Sequence, residues 1–406
     1  MSKKNLVAAL LCILIGIIVG IGVRAREYAK PQLSLLSTCL ATTTDPTFAS
    51  TCLNKTVPLL LTTYSVSELE DYTVASTTDQ QILTNCHPIG HIIGEQTYKK
   101  YGSIEEALAQ CSSVCRSACT HGVIGAAVLS QMGIEYSDND IAHADTAELT
   151  QLGVTYCAQG DSICHAIGHV AYIASQNDQK AISICNASAQ IPWNREACFQ
   201  GIFMERAGTF LNALYPDHAP TPPTVPGNYT YPCGTLPIAA QHACFLFLNV
   251  YQTPLFDADG FTTPTQRLQR ATEACEALAA GPARADCFEG VGLSSRYFGY
   301  PSFTSSDLQP LCDRLATADD RSACTLGVLQ RFFYGKKGLL AYCAGIGEAD
   351  RKSLCYDAAF EWNQWSADTA LQLNCESTEC LAQSARFKNE SATLPDYRYG
   401  LFGIPK

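Results

Sequence analysis

No Cys-x-x-Cys pair occurs anywhere in this chain, although it holds 21 cysteines among 406 residues. Zinc knuckles and the Cys-x-x-Cys-His run that attaches haem covalently are therefore excluded. Cys115-Arg-Ser-Ala-Cys119-Thr-His121 has the wrong spacing for the latter. A metalloprotease helix of the His-Glu-x-x-His type is missing too, because Pro88 and Ala166 stand where the glutamate would follow the first histidine. Charge is scarce: 16% of residues carry it, the formal net charge is −11, and no basic stripe relieves it. That balance argues against a nucleic-acid partner. The common helical-repeat signatures are also absent.

What is present begins with an uncharged apolar run from Leu6 to Val23, preceded by Lys3 and Lys4 and followed by Arg24 and Arg26. As a helix it would reach roughly 27 Å, enough for the hydrocarbon core of a bilayer. The leading lysines favour a cytoplasmic N-terminus. An uncleaved signal anchor is the preferred reading; Val23-Arg24-Ala25 also fits a cleavage site. Either way the body is exported: it is expected in an extracytoplasmic compartment, with the membrane as its partner through the N-terminal helix. Twenty cysteines outside the apolar run then read as a disulfide framework. Four sequons, at Asn54, Asn186, Asn228 and Asn389, are compatible with glycosylation.

The cysteines are periodic. Cys185 and Cys198, Cys233 and Cys244, Cys275 and Cys287, Cys312 and Cys324, and Cys343 and Cys355 lie 11 to 13 apart. Each second cysteine opens an apolar, helix-like segment, and several first cysteines end one. The expected fold is all-α: an α-solenoid-like array of antiparallel helix pairs, each connection closed by a disulfide, behind the N-terminal transmembrane helix. Eight second-type cysteines (Cys86, Cys119, Cys164, Cys198, Cys244, Cys287, Cys324, Cys355) imply about eight pairs. Cys86 lacks an upstream partner, so a bridge to Cys111 or Cys115 balances the count; a reactive thiol pair among Cys111, Cys115 and Cys119 is the alternative.

Composition suggests boundaries. Residues 1–5 are cytoplasmic, 6–23 span the membrane, and 24–80 form a Ser/Thr-rich stalk with a small Cys39–Cys52 loop. A His-bearing half (81–215) and a His-poor half (234–385) flank a Pro-rich linker (216–233), and 386–406 form an irregular tail.

The functional signal is a repeated hexapeptide. Cys86-His87-Pro88-Ile89-Gly90-His91 returns as Cys164-His165-Ala166-Ile167-Gly168-His169, and the residues that follow share almost nothing. Cys86 to Cys164 is 78 residues and Cys119 to Cys198 is 79, so the duplicated unit is about two helix pairs. Histidines at i,i+4 share one helix face, and two such pairs would close around a metal or haem. With Asn85 capping one helix and Asp161 or Ser162 the other, the pairs fall in the first two turns, where the helix N-terminus keeps imidazole neutral. Gly90 and Gly168 leave room for a packed helix or a ligand.

The candidate ligands are His87, His91, His165 and His169, with His121 as a fifth nitrogen and Glu95 as a carboxylate that the second copy lacks. Such a set suits Zn, Cu or Fe, or haem b with two axial histidines, without selecting among them. The competing reading makes His87 and His165 buried packing residues, since Phe199, Phe245, Phe288 or Tyr356 follow the bridged cysteine elsewhere. His143, His218 and His242 read as ordinary polar residues, Glu289 as exposed, and Glu205 and Arg206 as a solvated edge in preference to a buried ion pair.

Two functions follow. One is a membrane-anchored extracytoplasmic protein binding a transition metal or haem, on which a redox or hydrolytic enzyme is allowed but no catalytic group is assigned. The other is a helical-repeat surface scaffold for a protein or glycan, with structural histidines.

Overall fold

A computed structural model describes residues 33–41, 46–75, 82, 85–134, 145–211, 225–299, 305–331, 338–365, 373, 375–394, 397 and 400–401. The apolar run 6–23, His143, His218 and the prolines from 216 to 223 lie outside these residues. Among the described residues all repeating structure is helical, and no helix is long and apolar enough to cross a membrane.

Three helices come first: α1 (Ser34–Ala41), α2 (Pro46–Leu60) and α3 (Val66–Ala75). Then follow α4 (Cys86–Tyr101), α5 (Ile104–Leu108), α6 (Val114–Gln131), α7 (Thr146–Cys157), α8 (Asp161–Ser175), α9 (Asp178–Ser188) and α10 (Pro192–Leu211). Beyond the described end of the linker, residues 225–233, come α11 (Ile238–Tyr251), α12 (Thr253–Ala258), α13 (Pro264–Glu276), α14 (Pro282–Gly299) and α15 (Ser305–Asp313). The chain closes with α16 (Ala318–Arg331), α17 (Leu339–Gly345), α18 (Ala349–Trp365) and α19 (Thr378–Glu390).

The helices form two layers. In the first, α4, α6, α8, α10, α11, α14, α16 and α18 pack in that order, each against the next. The second holds α5, α7, α9, α13, α15 and α17, each packed on the first-layer helix that follows it. Disulfides join the end of a second-layer segment to the start of the next first-layer helix: Cys157–Cys164, Cys185–Cys198, Cys233–Cys244, Cys275–Cys287, Cys312–Cys324 and Cys343–Cys355. Cys39–Cys52 and Cys375–Cys380 close the ends. Cys86 bridges Cys115, as the count required, and Cys111 takes Cys119. No thiol pair is left among these three.

Glycines weld three first-layer pairs. A Cβ on Gly94 would come 1.9 Å from the Cys119 carbonyl oxygen, and one on Gly122 2.0 Å from that of His91. Gly168 and Gly201 repeat this against the Cys198 and His165 oxygens at 2.0 and 2.1 Å, and Gly292 and Gly327 against those of Cys324 and Glu289 at 2.2 and 1.9 Å. Only glycine lets two helix backbones meet so closely. His91, His165 and Glu289 therefore hold one and the same position in three welded pairs: α4 with α6, α8 with α10, and α14 with α16.

Several expectations change. Helices α1, α2 and α3 share a hydrophobic core with α4 (Leu36, Val57, Leu60 and Leu69 with Ile89, Ile92 and Ile93), where a stalk was expected. Serine and threonine are compatible with helix there because hydroxyls bond the preceding turn, as Thr38 does to the Ser34 oxygen and Thr73 to that of Glu70. The two halves are not separated: α10 packs on α11, and one hydrophobic core runs from Ile124 to Tyr397. The tail is anchored as well. α19 runs past residue 385, and the Tyr397 amide donates to Glu361 Oε2 at 3.0 Å.

Candidate metal centre

The site lies at the seam between the first two welded pairs. α4 supplies His87 and His91, α6 supplies His121, and α8 supplies His165 and His169. In α4 the helix opens at Cys86, so its histidines fall in the first two turns; Asn85 is the N-cap residue but makes no side-chain cap. In α8 the N-cap is Gly160, not Asp161 or Ser162, and the Asp161 carboxylate accepts from the Ser162 amide instead. His165 and His169 consequently sit one turn deeper. The hexapeptides are thus offset by a turn: in the packing His165 matches His91, not His87.

That offset brings the five rings together. Centroids of His87 and His91 lie 4.7 Å apart, His91 and His169 4.9 Å, His121 and His165 4.7 Å, and His165 and His169 4.8 Å. His121 lies 5.4 Å from both His87 and His91 and 6.0 Å from His169. One nitrogen each from His87, His121, His165 and His169 falls within 4.8 Å of the other three, and all four residues are buried.

Three of the rings are held from behind. His87 Nδ1–H donates to the Cys115 carbonyl at 2.7 Å, His165 Nδ1–H to that of Ala197 at 3.0 Å, and His169 Nδ1–H to Glu205 Oε2 at 2.9 Å. These bonds fix the tautomer and turn the Nε2 lone pair inward, the usual support of a metal-bound histidine. His121 is reversed: its Nε2 faces the Ser162 hydroxyl at 3.3 Å, and its Nδ1 has no hydrogen-bond partner. The Nε2 of His169 likewise has none. His91 Nε2 lies 3.0 Å from His87 Nε2. Because neutral His87 carries its proton on Nδ1, His91 is the donor in that contact.

Burial first, then the neighbouring rings, holds His87, His91 and His121 well below the ordinary imidazole value. The neighbour acting most strongly is His91 on His87, His165 on His121 and His169 on His91. Neutral imidazole is the form that binds metal.

Not every candidate joins the cluster. Glu95 pairs with Lys99 Nζ at 2.6 Å. Gly90 and Gly168 face neighbouring helices: the former would meet Ala118, the latter the Cys198 backbone. The sulfurs of Cys157, Cys164 and Cys198 also gather within 4.8 Å, but all three are already in disulfides.

Three expectations fail in one direction: charged groups expected in solvent are inside. Arg206 is fully buried and donates to Asp178 Oδ2 at 2.8 Å, while Glu205 backs His169. Glu289 is fully buried. His242 is no ordinary polar residue but lies between Glu196 and Glu289. A sequence cue existed. Two residues after the repeat cysteine stand His121, Gln200, Glu289 and Asp357, and all four are buried, so that position faces inward.

Comparison with known proteins finds no family model, no curated protein and no solved structure that matches this chain. The functional reading rests on the chemistry of the site. What stands is a disulfide-rich helical protein whose buried histidines form a group able to hold a metal ion.

Proposed function

We propose that this is a membrane-anchored, extracytoplasmic protein that binds one transition-metal ion, Zn, Cu or Fe, through His87, His121, His165 and His169, with His91 as adjoining fifth nitrogen. Ten disulfides support an oxidising compartment, and the apolar run 6–23 supplies the anchor. The observation that carries the reading is four buried imidazole nitrogens within 4.8 Å, with three of the rings already held through Nδ1. Ligands about 2.1 Å from one ion in a tetrahedron lie about 3.4 Å from one another, so a small inward movement completes the shell.

An ion suits this space better than haem. Two axial histidines must stand on opposite faces of a macrocycle several ring-widths across, whereas these rings crowd to centroid separations of 4.7–6.0 Å. Bound there, the ion would tie the α4–α6 pair to the α8–α10 pair. Glu205 is the carboxylate that would offset part of its charge.

The test is metal analysis of the purified full-length protein after dialysis against Zn²⁺ or Cu²⁺. At least one equivalent should remain, and His169→Ala with His121→Ala should release one while the disulfides stay intact. Protein that retains no metal, with melting unchanged by a chelator, would abolish the reading in favour of a scaffold.

A further inference from the structure

Outside the five-histidine centre a histidine lies between two glutamates. His242 on α11 donates Nδ1–H to Glu196 Oε1 on α10 at 2.6 Å. Its Nε2 points at Glu289 Oε2 on α14, 3.5 Å away. Neither of those two facing atoms makes a hydrogen bond. The Glu289 side chain is only 1% exposed, so its open oxygen cannot turn to water. Its other oxygen accepts from Gln330 Nε2 at 3.0 Å, and Glu196 Oε1 also accepts from Gln200 Nε2 at 3.3 Å. The orientation of both carboxylates is thereby set. Asp286, about one turn earlier on α14, is near enough for its carboxyl to feel the charges of His242, Glu289 and Glu196.

With Nε2 protonated the two atoms form a buried ion pair, but 3.5 Å is longer than the roughly 2.7–2.9 Å of a charge-assisted hydrogen bond. Here the gap is kept. Gly400 lies over it with φ +87°, and a Cβ at that residue would come 2.7 Å from His242 Nε2 and 3.1 Å from Glu289 Oε2. The volume left by the missing methyl is therefore near both unpartnered atoms. A ring nitrogen backed by a carboxylate, facing an open carboxylate oxygen across a small gap, is the arrangement of a carboxylate–histidine–metal site.

The frame supports the same conclusion. Glu289 holds in the third welded pair the position of His91 and His165 in the first two, with its carbonyl under Gly327 as theirs lie under Gly122 and Gly201. The repeat thus places a ligating side chain at one point in all three pairs and changes only its chemistry, from imidazole to carboxylate.

We infer that His242 Nε2 and Glu289 Oε2 form a second metal site, for a divalent first-row ion that accepts mixed nitrogen and oxygen donors. Glu196 is the positioning residue behind His242, and water completes the shell. One imidazole with carboxylates suits Zn²⁺, Mn²⁺ or Fe²⁺. On binding, the ion takes the Nε2 lone pair and any proton there passes to solvent.

The probe is Co²⁺, titrated into full-length protein and followed by its visible absorption and by bound-metal analysis. Wild type should take up two equivalents. His121→Ala with His169→Ala should keep one of them, and Glu289→Gln should keep the other. Glu196→Gln should weaken the second site 10- to 100-fold, the usual effect of losing a ligand's supporting partner. Gly400→Ala should also cost one equivalent, since its methyl enters the gap; this variant carries the test if the double histidine variant does not fold. Wild type binding one Co²⁺ that the histidine substitutions remove, with Glu289→Gln and Gly400→Ala unaffected, would overturn the second site and leave the first. Binding lost in Glu289→Gln alone would do the reverse.

Discussion

The carbonyl oxygen of His91 lies under Gly122 as that of His165 lies under Gly201, with 2.0 and 2.1 Å to a Cβ on either glycine. The sequence aligns His165 with His87; the packing aligns it with His91. This one-turn offset lets two copies of one hexapeptide interlock. In this register His91 and His169 come to 4.9 Å between ring centres.

Because the weld depends on a bare backbone, Gly122→Ala should be among the most damaging small changes in the chain. Overpacking typically costs about 1–3 kcal/mol, and contact with rigid backbone puts this case at about 3 kcal/mol or more. Gly234→Ala, at a glycine with nothing within 4 Å and no positive φ, should be neutral within about 0.5 kcal/mol. Urea denaturation of both variants measures the contrast, and equal midpoints would contradict it.

Ion binding should stabilise the folded state by linkage. At a free concentration of about 100 times Kd the gain is about 2.7 kcal/mol. The part due to the histidine centre should vanish in His169→Ala and need 10- to 100-fold more metal in Glu205→Gln, which loses the anion behind His169. Melting curves against metal concentration test this. A Glu205→Gln curve that overlays wild type would remove Glu205 from the centre.

Glu70 gives the chain a pH dependence of known sign. Burial raises its carboxyl from 4.5 to about 7, against the lowering effect of the bond from the Ser112 amide at 2.9 Å. Between those values the folded chain holds a proton that the unfolded chain has lost, so stability falls as pH rises through the interval. The full interval corresponds to roughly 3 kcal/mol. Glu70→Gln keeps an acceptor for Ser112 and should be more stable than wild type at pH 8 but not at pH 4. A difference between the two that stays constant with pH would refute the assignment.

The bridges should differ in worth by the loops they close. Cys86–Cys115 spans 29 residues and Cys375–Cys380 spans 5. In the chain-entropy model, removing the first by paired serine substitution costs about 4 kcal/mol and removing the second about 2 kcal/mol. Denaturant midpoints of the two paired variants give the order, and a reversed order would mean that local packing outweighs chain entropy here.

Short-range order was legible in the residues alone. Cysteines 11 to 13 apart, one ending a segment and the next opening another, suit a bridge across the connection, and Cys185–Cys198 and its four later counterparts pair that way. Histidines at i,i+4 must share a helix face, which is why four of the imidazoles could be grouped before their places were known, with His121 added from its place after a repeat cysteine. The all-helical class came from the same local patterns. Tertiary structure alone decided how deep each helix sits against the next, because that depth is set where two glycines let backbones touch, a relation between distant residues that no local spacing encodes. It decided that His165 meets His91, that Glu289 is buried against His242, and that Glu205 and Arg206 point inward. A polar side chain reads as exposed in sequence, and only the neighbouring helices that enclose it supply the partners that make its burial tolerable.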